Sequence, residues 1–100
     1  MRVIAKSTLR NFWARHKDAQ GALQAWHDEA LAATWKTPHD IKNHYPAASI
    51  CANNRVVFNV CGNKYRLIAE IQYTAGIVWV KFLGTHAEYD LVDASTVSVH

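Results

Sequence analysis

Two side chains that can move protons stand close together near the carboxyl end of the chain. His86 and Tyr89 are three residues apart, so a single helical turn would place both on one face. An imidazole and a phenol can serve metal-free phosphodiester cleavage, in which one group accepts the proton of a ribose 2′-hydroxyl and another protonates the departing 5′-oxygen. A histidine that caps a helix and a tyrosine that covers a sheet end would explain the same spacing, so both interpretations stay open.

Cations precede this pair in the sequence. Arg66 lies in one predicted strand, and Lys81 lies in the next, just before His86. Arginine and lysine can stabilise the negative charge that develops on a reacting phosphate. His86 and Tyr89 are therefore candidate proton-transfer groups, and Arg66 and Lys81 are among the cations that could lie beside them.

A sheet must position these side chains. Apolar residues alternate with polar ones in 54–61 and again in 64–73, which predicts two strands. Gly62 and Asn63 form a hairpin turn between them, which places Asn59 opposite Arg66. A second turn at Ala75 and Gly76 leads into a third antiparallel strand.

The register of the third strand follows from the hydrophobic pattern. Pairing Thr74 with Ile77 sets Ala69 opposite Phe82 and Glu70 opposite Lys81. A slip by one residue would turn Lys81 toward the core, which is costly.

One face of this predicted three-stranded sheet is polar and basic. Cations neutralise phosphates, and an aromatic ring stacks on unpaired bases, so the face is a candidate RNA platform. A solvated sheet face, an ion pair of Glu70 with Lys81, and a Trp79 ring covered by the tail would explain the same pattern. The candidate RNA-binding residues are Arg55, Asn59, Lys64 and Trp79.

The first half of the chain has helical periodicity. A short strand at 2–5 precedes a helix that Ser7 would cap and that ends near His16, with Leu9 and Phe12 on its buried stripe. This helix is expected to pack on the sheet.

Two more helices follow. Asp18 would cap a helix that ends near Trp35, with Trp26 facing the core and His27 facing water. Thr37 followed by a proline then predicts a short helix that ends near His44. Helices followed by strands indicate an α+β fold, with two main helices on one face of an antiparallel sheet.

Length and composition limit the possible classes of protein. A chain of 100 residues, 50% of them hydrophobic, holds one domain with its own core. Residues 1–93 are assigned to this domain, and residues 94–100 form a tail without an assigned role. The net charge of +3 suits an anionic partner. Neither a membrane span nor a signal peptide is evident, so we expect a soluble, cytoplasmic protein.

Metal and disulfide chemistry lack sequence support. The cysteines, Cys51 and Cys61, are ten residues apart without a CxxC motif, which indicates reduced thiols. The histidines do not form a metal-binding motif. No metal and no cofactor are predicted.

Two motifs resemble a known family. The sequence VVFNVCGNKYRL at 56–67 and the sequence GTHAEYD at 84–90, behind an amino end at 2–9, are similar to the HigB toxins of type II toxin-antitoxin systems. The likeness covers residues 1–93, whereas Cys61 and the residues from Ala94 onward depart from the pattern. Within these motifs, the resemblance places Lys64, Arg66, His86 and Tyr89 at the family's site positions. The family's cation on the final strand falls on Lys81, between the two motifs.

The resemblance implies a RelE-like fold and endonucleolytic cleavage of mRNA, usually on the ribosome. It also implies a helix-turn-helix antitoxin of the HigA type as partner. The toxin would contact operator DNA only indirectly, through this antitoxin, and no membrane partner is expected. In the implied reaction Arg66 and Lys81 hold the phosphate, Lys64 and Arg55 follow the RNA backbone, and His86 with Tyr89 transfers protons or orients the nucleotide. The alternatives are a non-catalytic RNA-binding or protein-binding module that uses the same face, and a purely structural interaction domain.

Overall fold

A layer of helices and a five-stranded sheet form the fold. The computed structural model describes residues 1–98. The helical half consists of β1 (Arg2–Ile4), α1 (Lys6–Arg15), a 3₁₀ turn (Lys17–Ala19), α2 (Gln20–Ala32) and α3 (Pro38–His44). The second half consists of β2 (Ser49–Cys51), β3 (Arg55–Val60), β4 (Tyr65–Gln72), β5 (Ile77–Thr85) and α4 (His86–Tyr89). The predicted α+β class is confirmed. Within the described residues, no helix has the length and hydropathy that a membrane crossing needs.

Two of the predicted helix caps are wrong. The cap position of α1 is Ala5, which makes no side-chain bond, and Ser7 lies inside the helix. The cap position of α2 is Ala19, and the carboxylate of Asp18 instead accepts hydrogen bonds from Lys64, just before β4, and from Tyr65, the first residue of β4. The third cap is confirmed, since Thr37 accepts a bond from the backbone N–H of Asp40 at the start of α3.

The sheet is wider than predicted and mixed in direction. Its order is β1, β5, β4, β3, β2. The amino-terminal strand β1 pairs in parallel with β5, and Val3 lies opposite Val78. The strand β2, which the sequence did not reveal, pairs antiparallel with β3 through only three residue pairs.

The first hairpin has the predicted register, and the second does not. Asn59 lies opposite Arg66 as expected. In the second hairpin Gln72 pairs with Ile77, so Glu70 lies opposite Trp79 and not opposite Lys81. The strand β5 also carries a β-bulge, because Ala69 pairs with Val80 while its neighbour Ile68 pairs with Phe82. Lys81 is therefore the extra residue of β5.

The bulge reverses the faces of β5 beyond Lys81. Val80 and Leu83 both belong to the main core, and Phe82 points to the opposite face of the sheet. There Phe82 packs with Val57 and Ile68, and we call these three residues the second apolar cluster. Side chains of Tyr89, Val92, Ala94 and Val97 cover it. The predicted open polar face is thus covered at its centre by the chain that follows β5.

The main core lies between the helices and the other face of the sheet. Trp26 is buried in α2, and its ring packs edge to face on Phe58 with ring centroids 5.4 Å apart. His27, predicted to face water, is also buried. Burial lowers the pKa of His27, and the positive charge of Lys6 lowers it further, so the neutral imidazole is favoured.

Asp18 joins the helical layer to the start of β4. Its carboxylate accepts hydrogen bonds from the ammonium of Lys64 and, at 2.7 Å, from the hydroxyl of Tyr65. The bond from Lys64 and then the bond from Tyr65 lower the pKa of Asp18. The same contact raises the pKa of Lys64. Asp18 is therefore favoured as a carboxylate and Lys64 as an ammonium.

The buried position of Trp26 yields a stability prediction. Trp26→Ala leaves a cavity against Phe58 and should lower the free energy of unfolding by roughly 3–5 kcal/mol, as measured by chemical denaturation. Trp79→Ala is the matched control, because its side chain is exposed and should cost far less. A melting curve of Trp26→Ala close to that of the wild type would contradict this packing.

The lowered pKa of Asp18 yields a pH prediction. The unfolded state holds a proton on Asp18 up to its ordinary pKa of about 3.9, whereas the folded state loses that proton at lower pH. The stabilisation is therefore complete above about pH 4 and is lost as the pH falls through the folded pKa. Asp18→Asn should lower the melting temperature at pH 7, and the gap to the wild type should narrow in acid. The control is Asp28→Asn, whose side chain is 82% exposed; an equal effect of both variants would refute the assignment.

Candidate active site

A short helix directly after β5 presents the predicted pair. The hydroxyl of Thr85 accepts a hydrogen bond from the backbone N–H of Glu88 at 3.2 Å, and the Glu88 carboxylate accepts one from the N–H of Thr85 at 2.8 Å. This capping box allows a single turn of helix to form at the strand end. His86 and Tyr89 lie on that turn with ring centroids 6.4 Å apart and an interplanar angle of 79°. The helical turn that the spacing of His86 and Tyr89 required for a shared face is present.

Arg66 reaches this turn from the neighbouring strand. Its guanidinium carbon lies 5.7 Å from the centroid of the Tyr89 ring, in a cation–π contact. The same guanidinium donates hydrogen bonds to the carbonyl oxygens of Asn63 at 3.0 Å and Tyr65 at 3.2 Å. Arg66 is therefore held in place and is only 8% exposed.

The absence of a side chain at Gly84 shapes this corner of the site. Gly84 lies opposite Arg66, and a Cβ atom there would stand 2.7 Å from the ring of Phe82. Because glycine has no Cβ atom, the Phe82 ring can occupy that volume as part of the second apolar cluster. The position suits glycine for its close packing.

His86 is oriented from two sides. Its backbone N–H donates to the carbonyl oxygen of Lys64 at 3.1 Å, which ties α4 to the turn before β4. Its Nδ1 lies 3.2 Å from a carboxylate oxygen of Asp90, and the side chain is 51% exposed. An Nδ1–H that donates to this carboxylate leaves Nε2 as the proton acceptor. Sequence reasoning missed Asp90, although its spacing of four residues from His86 is a helical signal.

The end of α1 also lies beside this turn. The positive charges of His16 and Arg15 contribute to lowering the pKa of Glu88, after the larger effect of its hydrogen bonds with Thr85. His16 also lies 5.3 Å from Tyr65, measured between ring centroids. Sequence reasoning missed both residues, because only the packing of α1 on the sheet brings them close to α4.

Lys64 lies at the same end of the sheet but faces the helices. It stands in the turn before β4 and pairs with Asp18, with 60% of its side chain exposed. The strand alternation had placed it on the face of Arg66. Because residues 61–64 form a four-residue turn, that alternation does not extend to Lys64.

Lys81 and Trp79 form a separate pair on the polar face. The ammonium of Lys81 lies 4.3 Å from the centroid of the Trp79 ring, and the Trp79 side chain is exposed. Gly84, which is opposite Arg66, is three residues beyond Lys81 and therefore roughly 10 Å along the strand. The structure thus joins Arg66, His86 and Tyr89 through direct contacts, and it places Lys81 with Trp79.

The remaining two candidates differ in exposure. Asn59 is exposed and lies opposite Arg66. Arg55 is buried, and its guanidinium donates hydrogen bonds to the carbonyl oxygens of Ala94 and Val97. The prediction that Arg55 lies on an open face is wrong, because the carboxyl-terminal segment covers it.

The chemistry available at this end of the sheet is proton transfer beside fixed positive charge. An imidazole, a phenol and a guanidinium meet there, and a carboxylate orients the imidazole. Among residues 1–98, no three histidine, cysteine, aspartate or glutamate side chains converge in a geometry that could hold a metal ion.

Comparison with known proteins identifies a family. The family model HigB_toxin, described as the RelE-like toxic component of a toxin-antitoxin system, matches residues 19–92. This range includes β3, β4, β5 and α4, and so both motifs of the predicted resemblance. No curated protein matches the chain. The chain belongs to the HigB toxin family, the RelE-like toxic components of toxin-antitoxin systems.

Proposed function

We propose that this toxin is a metal-independent endoribonuclease that cleaves mRNA. The observation that carries the proposal is the contact of the Arg66 guanidinium with the Tyr89 ring, next to His86 on the same helical turn. In the proposed reaction a ribose 2′-oxygen bonds to the adjacent phosphorus while the bond from phosphorus to the 5′-oxygen breaks. The 2′-hydroxyl loses its proton and the 5′-oxygen gains one, so the products are a 2′,3′-cyclic phosphate and a 5′-hydroxyl.

Each residue of the group has a proposed role. His86 accepts the 2′-hydroxyl proton on Nε2 while Asp90 holds Nδ1. Tyr89 protonates the leaving oxygen, since a phenol carries its proton at neutral pH. Arg66 stabilises the added negative charge on the phosphate. Because a guanidinium has five N–H donors, Arg66 can hold Asn63 and Tyr65 and still donate to a phosphate oxygen.

The RNA strand is proposed to run from this end of the sheet along the polar face. Lys81 contacts the phosphate backbone, and the exposed Trp79 ring beside it stacks on a base. Asn59 and Lys64 contact the RNA near the reacting nucleotide. We do not assign Arg55 to the RNA, because the segment that covers it separates it from solvent.

Membership of a toxin-antitoxin family implies an antitoxin partner. We propose a helix-turn-helix antitoxin of the HigA type, with operator DNA contacted only through that antitoxin. We further propose that the toxin acts on mRNA bound to the ribosome in the cytoplasm, where it inhibits translation, and that it has no membrane partner.

The burial of Arg66 favours one alternative function. A guanidinium that is 8% exposed can be a structural support under Tyr89, and the toxin would then bind RNA or a protein on its polar face without cleaving. Both functions predict salt-sensitive RNA binding, so affinity does not separate them. Mapping RNA 5′ ends after brief induction of the toxin separates the two functions, because only a nuclease creates new 5′ ends.

Removal of the guanidinium tests the charge-stabilising role. Arg66→Ala should lower the cleavage rate by about 10²–10³-fold, by analogy with the loss of an oxyanion donor, and should abolish growth arrest. Arg10→Ala removes an exposed charge on α1 and should leave growth arrest intact. Melting curves of both variants check that they fold. Equal effects of the two substitutions in folded protein would reject a localised site.

Removal of the proton-transfer groups tests the chemistry. His86→Ala and Tyr89→Phe should each lower cleavage of a translated message by about 10²–10⁴-fold. Ribosome co-sedimentation and thermal melting should stay close to those of the wild type, because His86 is exposed and Tyr89→Phe keeps the ring. Wild-type cleavage should persist after transition metals are removed at a magnesium concentration that keeps ribosomes assembled. If both variants cleave fully, the pair is structural and catalysis must depend on other residues.

A further inference from the structure

Arg55 stands out because it is a buried charge outside the proposed active site. It begins β3 on the face of the second apolar cluster and is 6% exposed. One terminal nitrogen donates to the carbonyl oxygens of Ala94 at 3.3 Å and Val97 at 2.5 Å. Its Nε lies 3.7 Å from a carboxylate oxygen of Glu70. Its guanidinium is thus hydrogen-bonded to two carbonyls of the carboxyl-terminal segment, and its Nε is at ion-pair distance from one carboxylate without a hydrogen bond.

The segment that Arg55 holds is a folded strap, which we define as residues 92–97. The side chain of Asn53 donates to the carbonyl oxygen of Ser95 at 2.9 Å, so a third carbonyl of the strap is held from the connection before β3. Asp93 folds the strap on itself, since its carbonyl oxygen accepts from the backbone N–H groups of Thr96 at 3.2 Å and Val97 at 2.9 Å. The strap is therefore fixed by polar bonds along its length.

The strap is continuous with α4 and shares its support. The backbone N–H of Val92 donates to the carbonyl oxygen of Tyr89 at 3.2 Å. Tyr89 and the strap residues Val92, Ala94 and Val97 all pack on the second apolar cluster. A displaced strap would free the carboxyl end of α4, and the Tyr89 ring would no longer be fixed over Arg66.

If the strap only covered the second apolar cluster, a charged side chain at position 55 would not be needed. Burying a guanidinium costs free energy unless its donors are satisfied, and an apolar side chain would cover the cluster as well. The strap contributes only small apolar side chains, and apolar contacts are not directional. The hydrogen bonds from Arg55 to the carbonyl oxygens of Ala94 and Val97 are directional, so they specify one position of the strap on the sheet.

We propose that Arg55 is a positioning residue for the active site: it anchors the strap and thereby holds Tyr89 and His86 in place beside Arg66. This inference rests on the proposed nuclease function. Arg55 acts through the strap and not through the RNA. Its loss should therefore slow the chemical step while leaving RNA affinity nearly unchanged.

The test compares five variants with the wild-type toxin. They are Arg55→Met, Arg55→Lys, the chain that ends at Asp93, that shortened chain carrying Arg55→Met, and the exposed control Arg10→Met. Single-turnover cleavage of a short message on a programmed ribosome gives the rate at saturation and the half-saturating concentration. Amide hydrogen exchange of residues 88–92 reports on the end of α4 without depending on activity.

Arg55→Met should lower the saturating rate by about 10–100-fold, the scale of a misplacement near 1 Å, with the half-saturating concentration changed by less than about twofold. Exchange at 88–92 should accelerate, and Arg55→Lys should restore part of the rate, because an ammonium can also donate to carbonyl oxygens. The shortened chain should show the same loss, and the combined form should lose no more than either alone. Arg10→Met should match the wild type.

Three results would overturn the proposal. One is a shortened chain with the wild-type rate, and another is a combined form in which the two losses multiply. The third is a higher half-saturating concentration at an unchanged rate, which would make Arg55 an RNA contact.

If Arg55→Met does not fold, Asn53→Ala removes one exposed anchor and should still accelerate exchange at 88–92; unchanged exchange would reject the anchor. If the wild type does not cleave RNA, the nuclease proposal fails, and the exchange measurement alone decides whether Arg55 holds α4.

Discussion

The extra residue at Lys81 determines how the last strand leaves the sheet. Up to Val80, alternate residues of β5 face the main core, and beyond the bulge the alternation is reversed. This reversal turns Phe82 toward Val57 and Ile68, with which it forms the second apolar cluster, and brings Gly84 opposite Arg66. The helix α4 therefore begins on the sheet face that carries the Arg66 guanidinium. The contact of Arg66 with Tyr89 depends on this position of α4. A regular strand would have directed Phe82 into the core and Leu83 onto the polar face.

Two buried arginines, one in β3 and one in β4, lie on the sheet face that carries the second apolar cluster, and their environments differ. Arg66 is held by carbonyls at its own end of the sheet and contacts the Tyr89 ring. Arg55 is held by carbonyls of the strap and lies near the carboxylate of Glu70. In the register of β3 and β4, the apolar pair Val57 and Ile68 of the second apolar cluster lies between them. One guanidinium is therefore fixed at each end of the second apolar cluster. The hydrogen bonds of these two groups can hold the covering chain in a single position on the sheet.

Polar contacts of Asp18 support the side of the site that faces the helices. Its carboxylate joins the 3₁₀ turn before α2 to Lys64 and Tyr65 at the start of β4. The carbonyl oxygen of Lys64 in turn accepts the backbone N–H of His86. The helical layer, the turn before β4 and the helix α4 are thus connected through a short chain of polar contacts. In the fold, the ammonium of Lys64 pairs with Asp18. The same ammonium is exposed, and the proposed RNA contact would use it in addition.

The sequence by itself determined the α+β class, the capped helix after Thr37 and the first hairpin register, because local periodicity and short-range hydrogen bonds control each of these. It also placed His86 and Tyr89 three residues apart, so that the helical turn of α4 brings their rings together. It did not determine the caps of α1 and α2, the parallel pairing of β1, or the strand β2, which depend on partners far along the chain. Only the tertiary structure decided that Arg55 is buried, that Lys64 turns to Asp18, and that Lys81 interrupts the strand. The physical reason is that a bulge costs one unpaired residue locally, and its benefit, the burial of Phe82 under the strap, comes from residues that lie beyond the strand.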